Sequence, residues 1–339
     1  HIASTGRPGP VLVDIPKDVS QAECDFAYPA QVNLRGYKPT IHGHAGQLRR
    51  AAEVITAATR PVIYAGGGVI HSGASESLRQ MAELTATPVT NTLMGLGGFP
   101  GVHELWLGML GMHGTVTANT AMNEADLVIA IGVRFDDRVT GNVDEFCPNA
   151  KFIHIDIDPS SIGKNVQVDV PIVGDVQACL VRLLEELRAI PKDWRAAHRE
   201  WLTQITEWQR KYPLQYTQEP DGELLPQFVC EQIYAVTKGD AIITTEVGQH
   251  QMWAAQYYKF KSPRQLLTSA GLGAMGYGYP AALGAKVACP DKQVVDIDGD
   301  GSFLMNVQEL ATAHIEHIAA KVIILNNQHL GMVVQWEDN

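Results

Sequence analysis

The chain has 339 residues, 45% of them hydrophobic, and a formal net charge of −11. That length suits two or three domains with sizeable cores, and the charge excludes nucleic acid as the main partner, because phosphate binding needs a basic face. No apolar run reaches membrane-spanning length, and five scattered cysteines without CxxC spacing point to a reduced compartment rather than a disulfide framework or a zinc site.

The opening HIASTGRPGPVLVDIPKDV lacks a Met and contains one apolar run, Pro10–Ile15, predicted as a buried strand. Residues 1–20 read as the end of a domain that is otherwise absent, and the chain as the middle and later part of a longer protein. Residues 21–45 are polar, with prolines and glycines, and read as a linker. Over residues 46–189 strands are predicted at Pro61–Ala65, Pro88–Asn91, Leu127–Ile131, Phe152–Ile157 and Val170–Val173. Helical periodicity fills the gaps, as in GQLRRAAEVITAA, SESLRQMAELTA and VQACLVRLLEELRA. Residues 190–220 read as a helical connector in which Trp194, Trp201 and Trp208 form a packing face. A second unit over 221–339 has predicted strands at Ala241–Thr245, Gln265–Thr268, Val294–Ile297 and Lys321–Leu325. Continuous apolar strands with helical crossovers define the class: α/β, with two parallel-sheet, three-layer domains plus the last strand of a third.

The stretch DIDGDGSF, from Asp296, carries the densest chemistry. A calcium loop would need a bidentate Glu at its twelfth position, where Val307 stands, and a helix rather than the strand QVVDI before it. A capped polar turn is the plain alternative. The whole stretch suggests a third reading, with a strand at Val294–Ile297, a helix at Phe303–Ile318 and a strand at Lys321–Leu325. Asp300 and Asn327 then fall at the carboxyl edge of a parallel sheet, where ligands of open α/β folds bind. A carboxylate and an amide oxygen are hard ligands suited to Mg²⁺. Glycines before a helix let backbone N–H groups approach phosphate. This reading asks for a Mg²⁺-diphosphate.

Gly299-Asp300-Gly301, followed roughly 25 residues later by Asn326-Asn327, resembles the binding motif of the thiamine-diphosphate (ThDP) enzymes. The resemblance implies that Asp300, Asn327 and the carbonyl of His329 ligate the metal. It also places Gly299, Gly301, Ser302, Gly331 and Met332 against the cofactor. TTEVGQHQMWAAQYY and TSAGLGAMGYGYPAALGAK are similar to the two other lining segments of that superfamily. They imply contacts from Val247, Gly248, Gln249 and His250, a bond accepted by the Gly273 carbonyl, and an apolar buttress at Met275. Such a buttress holds the cofactor bent, so that it removes its own proton and serves as an electron sink for a 2-keto acid. The family's catalytic Glu belongs to its pyrimidine-binding domain, and no Glu of this chain takes that role.

PVIYAGGGVIHSG reads as a strand entering a tight glycine loop that lets backbone approach a ligand. Together with TLMG, LGMLGMHG, IGVRFDDRVTG, IHIDIDPSSIGKN and VGDV it resembles the FAD-binding central domain of the acetohydroxyacid (acetolactate) synthase large-subunit family. GRPGPVLVDIPKDV and NNQHLGMVVQWED are also typical of that family, so the resemblance spans the chain. Flavin contacts are implied at Arg7, Gly66, Gly67, Gly68, Thr92, Leu93 and Met94. Further ones fall at Leu110, Gly111, Met112, His113, Gly132, Val133, Arg134, Asp136, Asp156, Ile157, Asp175 and Val176. Arg138 would meet the carboxylate of a second keto acid, which its bidentate fork suits. Trp336 would shape that acid's pocket, and Lys17 would line the channel.

The activity so implied joins a pyruvate-derived unit to pyruvate or 2-ketobutyrate, the first common step of branched-chain amino-acid biosynthesis. A homodimer or homotetramer with a regulatory small subunit is implied, in a bacterial cytoplasm or a plastid stroma. Neither nucleic acid nor a membrane is an expected partner. An oxidoreductase similar to pyruvate oxidase, a relative similar to glyoxylate carboligase and a non-catalytic cofactor-binding chain remain open. RFDDRVTG and GMVVQW favour the synthase.

Overall fold

The computed structural model describes residues 1–338; Asn339, where the expected second α/β unit ends, lies outside them. Six strands build the first unit: β1 (Pro61–Ala65), β2 (Val89–Asn91), β3 (Trp106–Met109), β4 (Leu127–Ile131), β5 (Lys151–Asp156) and β6 (Val170–Val173). They lie in the order β3-β2-β1-β4-β5-β6, every neighbouring pair parallel. Strand order reverses between β1 and β4, which opens a crevice at their carboxyl ends.

Both central strands are wholly buried, which is why their sequences are unbroken apolar runs rather than alternating ones. Ile63, Ala65, Ile129 and Ile131 face one layer, shared with Leu78, Leu183 and Trp194. Val62, Tyr64, Val128 and Ala130 face the other, shared with Met122, Trp201 and Ile205. This is the period of two expected of a strand covered on both sides. Helices Val116–Glu124 and Val176–Arg188 begin at caps, Thr115 accepting from the Ala118 N–H and Asp175 from that of Ala178. The tryptophan stripe packs on this unit itself. Trp194 joins one layer and Trp201 the other, with the Trp201 indole N–H bonded to the Pro61 carbonyl at 3.1 Å.

The second unit holds β7 (Ile242–Thr245), β8 (Leu266–Thr268), β9 (Val294–Gly299) and β10 (Lys321–Leu325). Their order is β10-β9-β7-β8, again parallel throughout. Ile243 and Ile297 pack with Cys230 and Ile233 of helix Pro226–Thr237 and Ala254 of helix Gln249–Tyr257. The other face meets helix Gly278–Ala288 through Ala282 and Val294. Leu96 and Met109 of the first unit reach into the second unit's core. The units are also joined by the Gly101 N–H on the Phe260 carbonyl at 2.7 Å. Each of the three larger cores encloses one cysteine: Cys179, Cys147 and Cys230.

Three expectations are corrected. Pro10–Ile15 forms no strand; it runs unpaired between Pro10 and Pro16, and Leu12 is 92% exposed. An apolar run becomes a strand only where an edge offers backbone partners, and neither sheet takes it up. The helix expected over Phe303–Ile318 is broken into Asp300–Phe303, a 3-10 turn at Leu304–Asn306 and Glu309–Ile315. The chain leaves that last helix before His317, which adopts a left-handed φ of 54°. β3, which the sequence reading missed, is short, slips in register against β2 and contains Gly108 at φ 97°.

Candidate functional site

The carboxyl edge of the first sheet gathers most of the residues expected to face a flavin. Gly66–Gly68 follow β1, Thr92–Met94 follow β2, Leu110–His113 follow β3, Gly132–Asp136 follow β4 and Asp156–Ile157 close β5. Asp175 and Val176 follow β6, and Asp175 is committed to capping the next helix. Arg7 reaches the same edge from the N-terminal segment, its guanidinium 3.1 Å from the Asp158 carboxylate and 3.2 Å from Ser161 Oγ. Asp156 lies between: burial pushes its carboxyl up, against the N–H bond from Asp158 and the nearby His154 and Arg7.

The glycine loop also has a role within the fold. A Cβ on Gly66 would overlap the Gly132 carbonyl, and one on Gly68 would stand 2.6 Å from Gly132 Cα. The Gly68 N–H donates to Gly132 O at 3.1 Å. These two glycines therefore let the loops after β1 and β4 touch across the strand-order switch. Gly67 is less crowded, though a Cβ there would still press on Met94 Cβ at 3.3 Å.

Beyond β4, Arg134 pairs with Asp136, and Asp136 caps the turn Asp137–Thr140. Arg138 within that turn is exposed, 3.4 Å from Asp137, while its carbonyl accepts the Met112 N–H at 2.9 Å. Burial, then the positive charge of Arg138, lowers the pKa of His113. The His113 carbonyl accepts from Gln256 Nε2 at 2.7 Å, which ties this edge to the second unit. Lys17 sits in the short exposed helix Lys17–Ser20, and its side chain bonds neither edge among the described residues.

The carboxyl edge of the second sheet gathers the other set. Val247, Gly248, Gln249 and His250 follow β7, Gly273 and Met275 follow β8, Gly299–Ser302 close β9, and Asn327–Met332 follow β10. Gly299 pairs with Leu325 in register, so Asp300 and Asn327 leave adjacent strands side by side. No protein donor bonds the Asp300 carboxylate among the described residues, which leaves it available to a cation, whereas Asn327 Oδ1 accepts the His329 N–H at 3.2 Å. A carboxylate, an amide and a main-chain carbonyl make a hard oxygen set. Among the described residues, no group of three or more His, Cys, Asp or Glu side chains is arranged to hold a metal ion.

The glycines here bring chain segments together. A Cβ on Gly299 would come 2.8 Å from His250 Nδ1, one on Gly301 2.6 Å from Leu330, and one on Gly331 would overlap Gln249. Burial drives the His250 pKa down to about 4, against the pull of Asp300, so the ring is neutral at pH 7. Its Nε2 is buried without a partner, a fit for a bound polar group. Trp336 lies in helix Gly331–Glu337 after β10 and is exposed. It thus stands on the second unit, and Arg138 on the first.

Beneath the edge lies a layer that sequence reasoning missed. Glu246, Asp296 and Asp298 are buried, with Thr244 Oγ1 donating to Asp296 at 2.7 Å. Burial pushes Asp296 up to about 7, opposed by Thr244 and reinforced by Glu246. Burial, then the charges of Asp296 and Glu246, pushes Asp298 up to about 8. Glu246 is raised by burial too, though N–H groups of Gly278, Gly276 and Val247 work against it. The available signal was a Glu standing directly after the β-branched run IITT.

Two parallel sheets, each with a loop-lined carboxyl edge, one ending in a Gly-Asp-Gly turn opposite an Asn, define a cofactor-binding α/β enzyme class. Residues 48–183 match the family model "Thiamine pyrophosphate enzyme, central domain", and residues 246–339 match "Thiamine pyrophosphate enzyme, C-terminal TPP binding domain". The chain belongs to the thiamine pyrophosphate enzyme family. Within it, the chain is 53% identical over 337 residues to the acetolactate synthase large subunit of Corynebacterium glutamicum, covering 99% of this chain and 54% of the relative. It is 52% identical over 339 residues to an acetolactate synthase of Mycobacterium bovis, covering 99% and 54%. With the large subunit of Haemophilus influenzae it shares 49% over 340 residues, covering 100% and 59%. The chain thus spans little more than half the length of these relatives.

Proposed function

We propose that this chain forms the central and diphosphate-binding parts of an acetolactate synthase large subunit, which decarboxylates pyruvate and joins the two-carbon unit to pyruvate or 2-ketobutyrate. The observation that carries this is the placement of Asp300 and Asn327 on adjacent strand ends, above a glycine-lined edge. The near-half identity to acetolactate synthases over the whole chain supports it.

In this reading Asp300, Asn327 and the His329 carbonyl hold Mg²⁺, and the N–H groups around Gly301 and Ser302 meet the diphosphate. Val247–His250, Gly273 and Met275 line the rest of the cofactor. When bound, ThDP supplies the electron sink for decarboxylation. The protein's share is orientation and exclusion of water. Arg138 meets the acceptor's carboxylate and Trp336 bounds its side chain. The residues named on the first edge, from Arg7 and Gly67 to Asp156, cradle FAD. We propose a homo-oligomer with a small regulatory subunit, in keeping with relatives named large subunits. Because those relatives are bacterial, the cytoplasm is a better assignment than a plastid.

The test uses the full-length protein. Calorimetry with ThDP should show binding that depends on Mg²⁺, the purified protein should be yellow, and pyruvate should yield acetolactate without oxygen consumption. Binding without Mg²⁺, or oxygen uptake in step with pyruvate, would reject the assignment.

A further inference from the structure

Glu246 is 1% exposed and directly follows β7, the strand that feeds the Val247–His250 segment. One carboxylate oxygen accepts the Gly276 N–H at 2.8 Å, and the other accepts the Gly278 N–H. Two donors two residues apart match the two oxygens of a single carboxylate. The first donor belongs to the peptide linking Met275 to Gly276, and the carbonyl of Gly276 accepts from Asn306 Nδ2 at 2.5 Å. Gly276 itself sits at φ 87°, where a Cβ would stand 2.6 Å from Asn306 Nδ2 and 3.1 Å from Met305 Cβ.

The segment ahead of this anchor is held weakly. Residues 271–274 are exposed, and the side-chain bonds there are Ser269 Oγ to the Ala274 carbonyl at 3.3 Å and the Ala270 N–H to Thr268 Oγ1 at 3.4 Å. Met275 is the first residue of that stretch to turn inward. Its place is therefore set from its downstream side, by Glu246 on the N–H and Asn306 on the carbonyl. Ser302 Oγ, donating to the Val247 carbonyl at 3.1 Å, ties the Gly-Asp-Gly turn to the same strand end. Three of the segments lining this edge thus meet at Glu246 and its neighbour.

We propose that Glu246 is a positioning residue for the cofactor edge: its carboxylate grips the peptides after Met275 and Tyr277, and so fixes how far Met275 projects toward the bound cofactor. This rests on reading the edge as a ThDP cradle. A buried carboxylate serving only the fold would matter to stability alone. One serving Met275 must change the bound cofactor's conformation while leaving the metal and diphosphate anchors intact.

The experiment takes the full-length protein with ThDP and Mg²⁺, in wild-type, Glu246→Gln and Glu246→Ala forms. Glu246→Gln keeps the volume and one acceptor, so it folds even if the alanine form does not. ThDP affinity by calorimetry should change by no more than about threefold, because Asp300 and Asn327 are untouched. The circular-dichroism band of the bent, bound aminopyrimidine should weaken in the order wild type, Gln, Ala. kcat should fall about tenfold or more, as expected for losing a charge-assisted bond, with KM for pyruvate moving far less. Adding Met275→Ala to Glu246→Ala should cost nothing beyond Met275→Ala alone, since both act on one contact. Thr244→Val, which removes a buried bond in the same layer, should lower Tm and leave the dichroism unchanged. A wild-type band and kcat in Glu246→Ala, or additive losses in the double variant, would overturn the positioning role. A wild-type protein with no ThDP-induced band would instead overturn the cradle reading, and the positioning role with it.

Discussion

The two sheet edges solve one problem in different ways. At the first edge main chain lies directly against main chain, supplemented by side-chain bonds such as Asn91 Nδ2 to the Gly95 carbonyl at 2.9 Å and Asn165 Nδ2 to the Phe135 carbonyl at 2.8 Å. Gly66 and Gly68 lie against Gly132, the Gly68 N–H bonds Gly132 O, and Gly95 lies against the Ala65 carbonyl. At the second edge side chains do the stitching: Glu246 to Gly276 and Gly278, Ser302 to Val247, Asn306 to Gly276, and Gln249 to Gln335 at 3.3 Å. Main-chain contact tolerates no added atom, whereas side-chain contact can be retuned one residue at a time. The first edge behaves as a fixed frame, and the second as an adjustable cradle.

The comparison breaks most visibly at Gly132. Gly132→Val puts a β-branched residue at φ 60°, with Cβ 2.6 Å from Gly68 Cα. Left-handed strain and overpacking together should cost about 2–5 kcal/mol, read as a lower denaturation midpoint. If the midpoint held, the frame would not be main-chain limited. Asp300→Ala attacks the second edge without such strain. ThDP affinity in the presence of Mg²⁺ should fall about 10- to 100-fold with Tm of the unliganded protein unchanged, and calorimetry plus a melting curve separates the two effects.

Titration sharpens the contrast, because the second sheet encloses the carboxyls of Asp296 and Asp298 on β9, whereas the fully buried titratable groups of the first sheet are the His154 imidazole on β5 and the Tyr64 phenol on β1. Asp296 is held at about 7 by burial, above the ordinary carboxyl value of about 3.9. The folded state therefore keeps a proton that the unfolded chain has lost. Stability from this group is complete below about pH 4 and is lost as pH rises through 7. Asp296→Asn should flatten that decline by about 1–2 kcal/mol, measured as denaturation free energy against pH. An unchanged slope would place the raised titration elsewhere. Trp336→Leu, on the exposed helix after β10, bears on specificity rather than stability. It should shift the ratio of products formed from pyruvate and 2-ketobutyrate in competition by about 1–3 kcal/mol of discrimination, more than it alters total turnover. A constant ratio would make Trp336 a packing residue.

What the sequence disclosed follows the same division. β1, β4, β6 and β10 occupy the predicted residues because continuous apolar runs between helices have few other solutions. β3 escaped because Trp106–Met109 is four residues long with a glycine inside. Pro10–Ile15 misled for the opposite reason: composition announces a strand, but only a partner makes one. The segments chosen by motif spacing do lie at the two carboxyl edges. That spacing could not say that Gly66 and Gly68 also lie against Gly132, since that use and the approach to a ligand demand the same missing side chain. Glu246 was invisible because its partners are backbone N–H groups 30 and 32 residues away.

The three enclosed cysteines turn the architecture into a chemical clock. Burial pushes the Cys147 and Cys230 thiols up to about 12 and Cys179 up to about 11, so none offers a reactive thiolate at neutral pH. Cys24, by contrast, is exposed. An alkylating reagent added to the native protein marks Cys24 at once and the buried sulfurs only when their own layer opens. Their separate labelling rates then measure the opening free energies of the two faces of the first sheet and of the second unit, in one experiment and without any engineered probe.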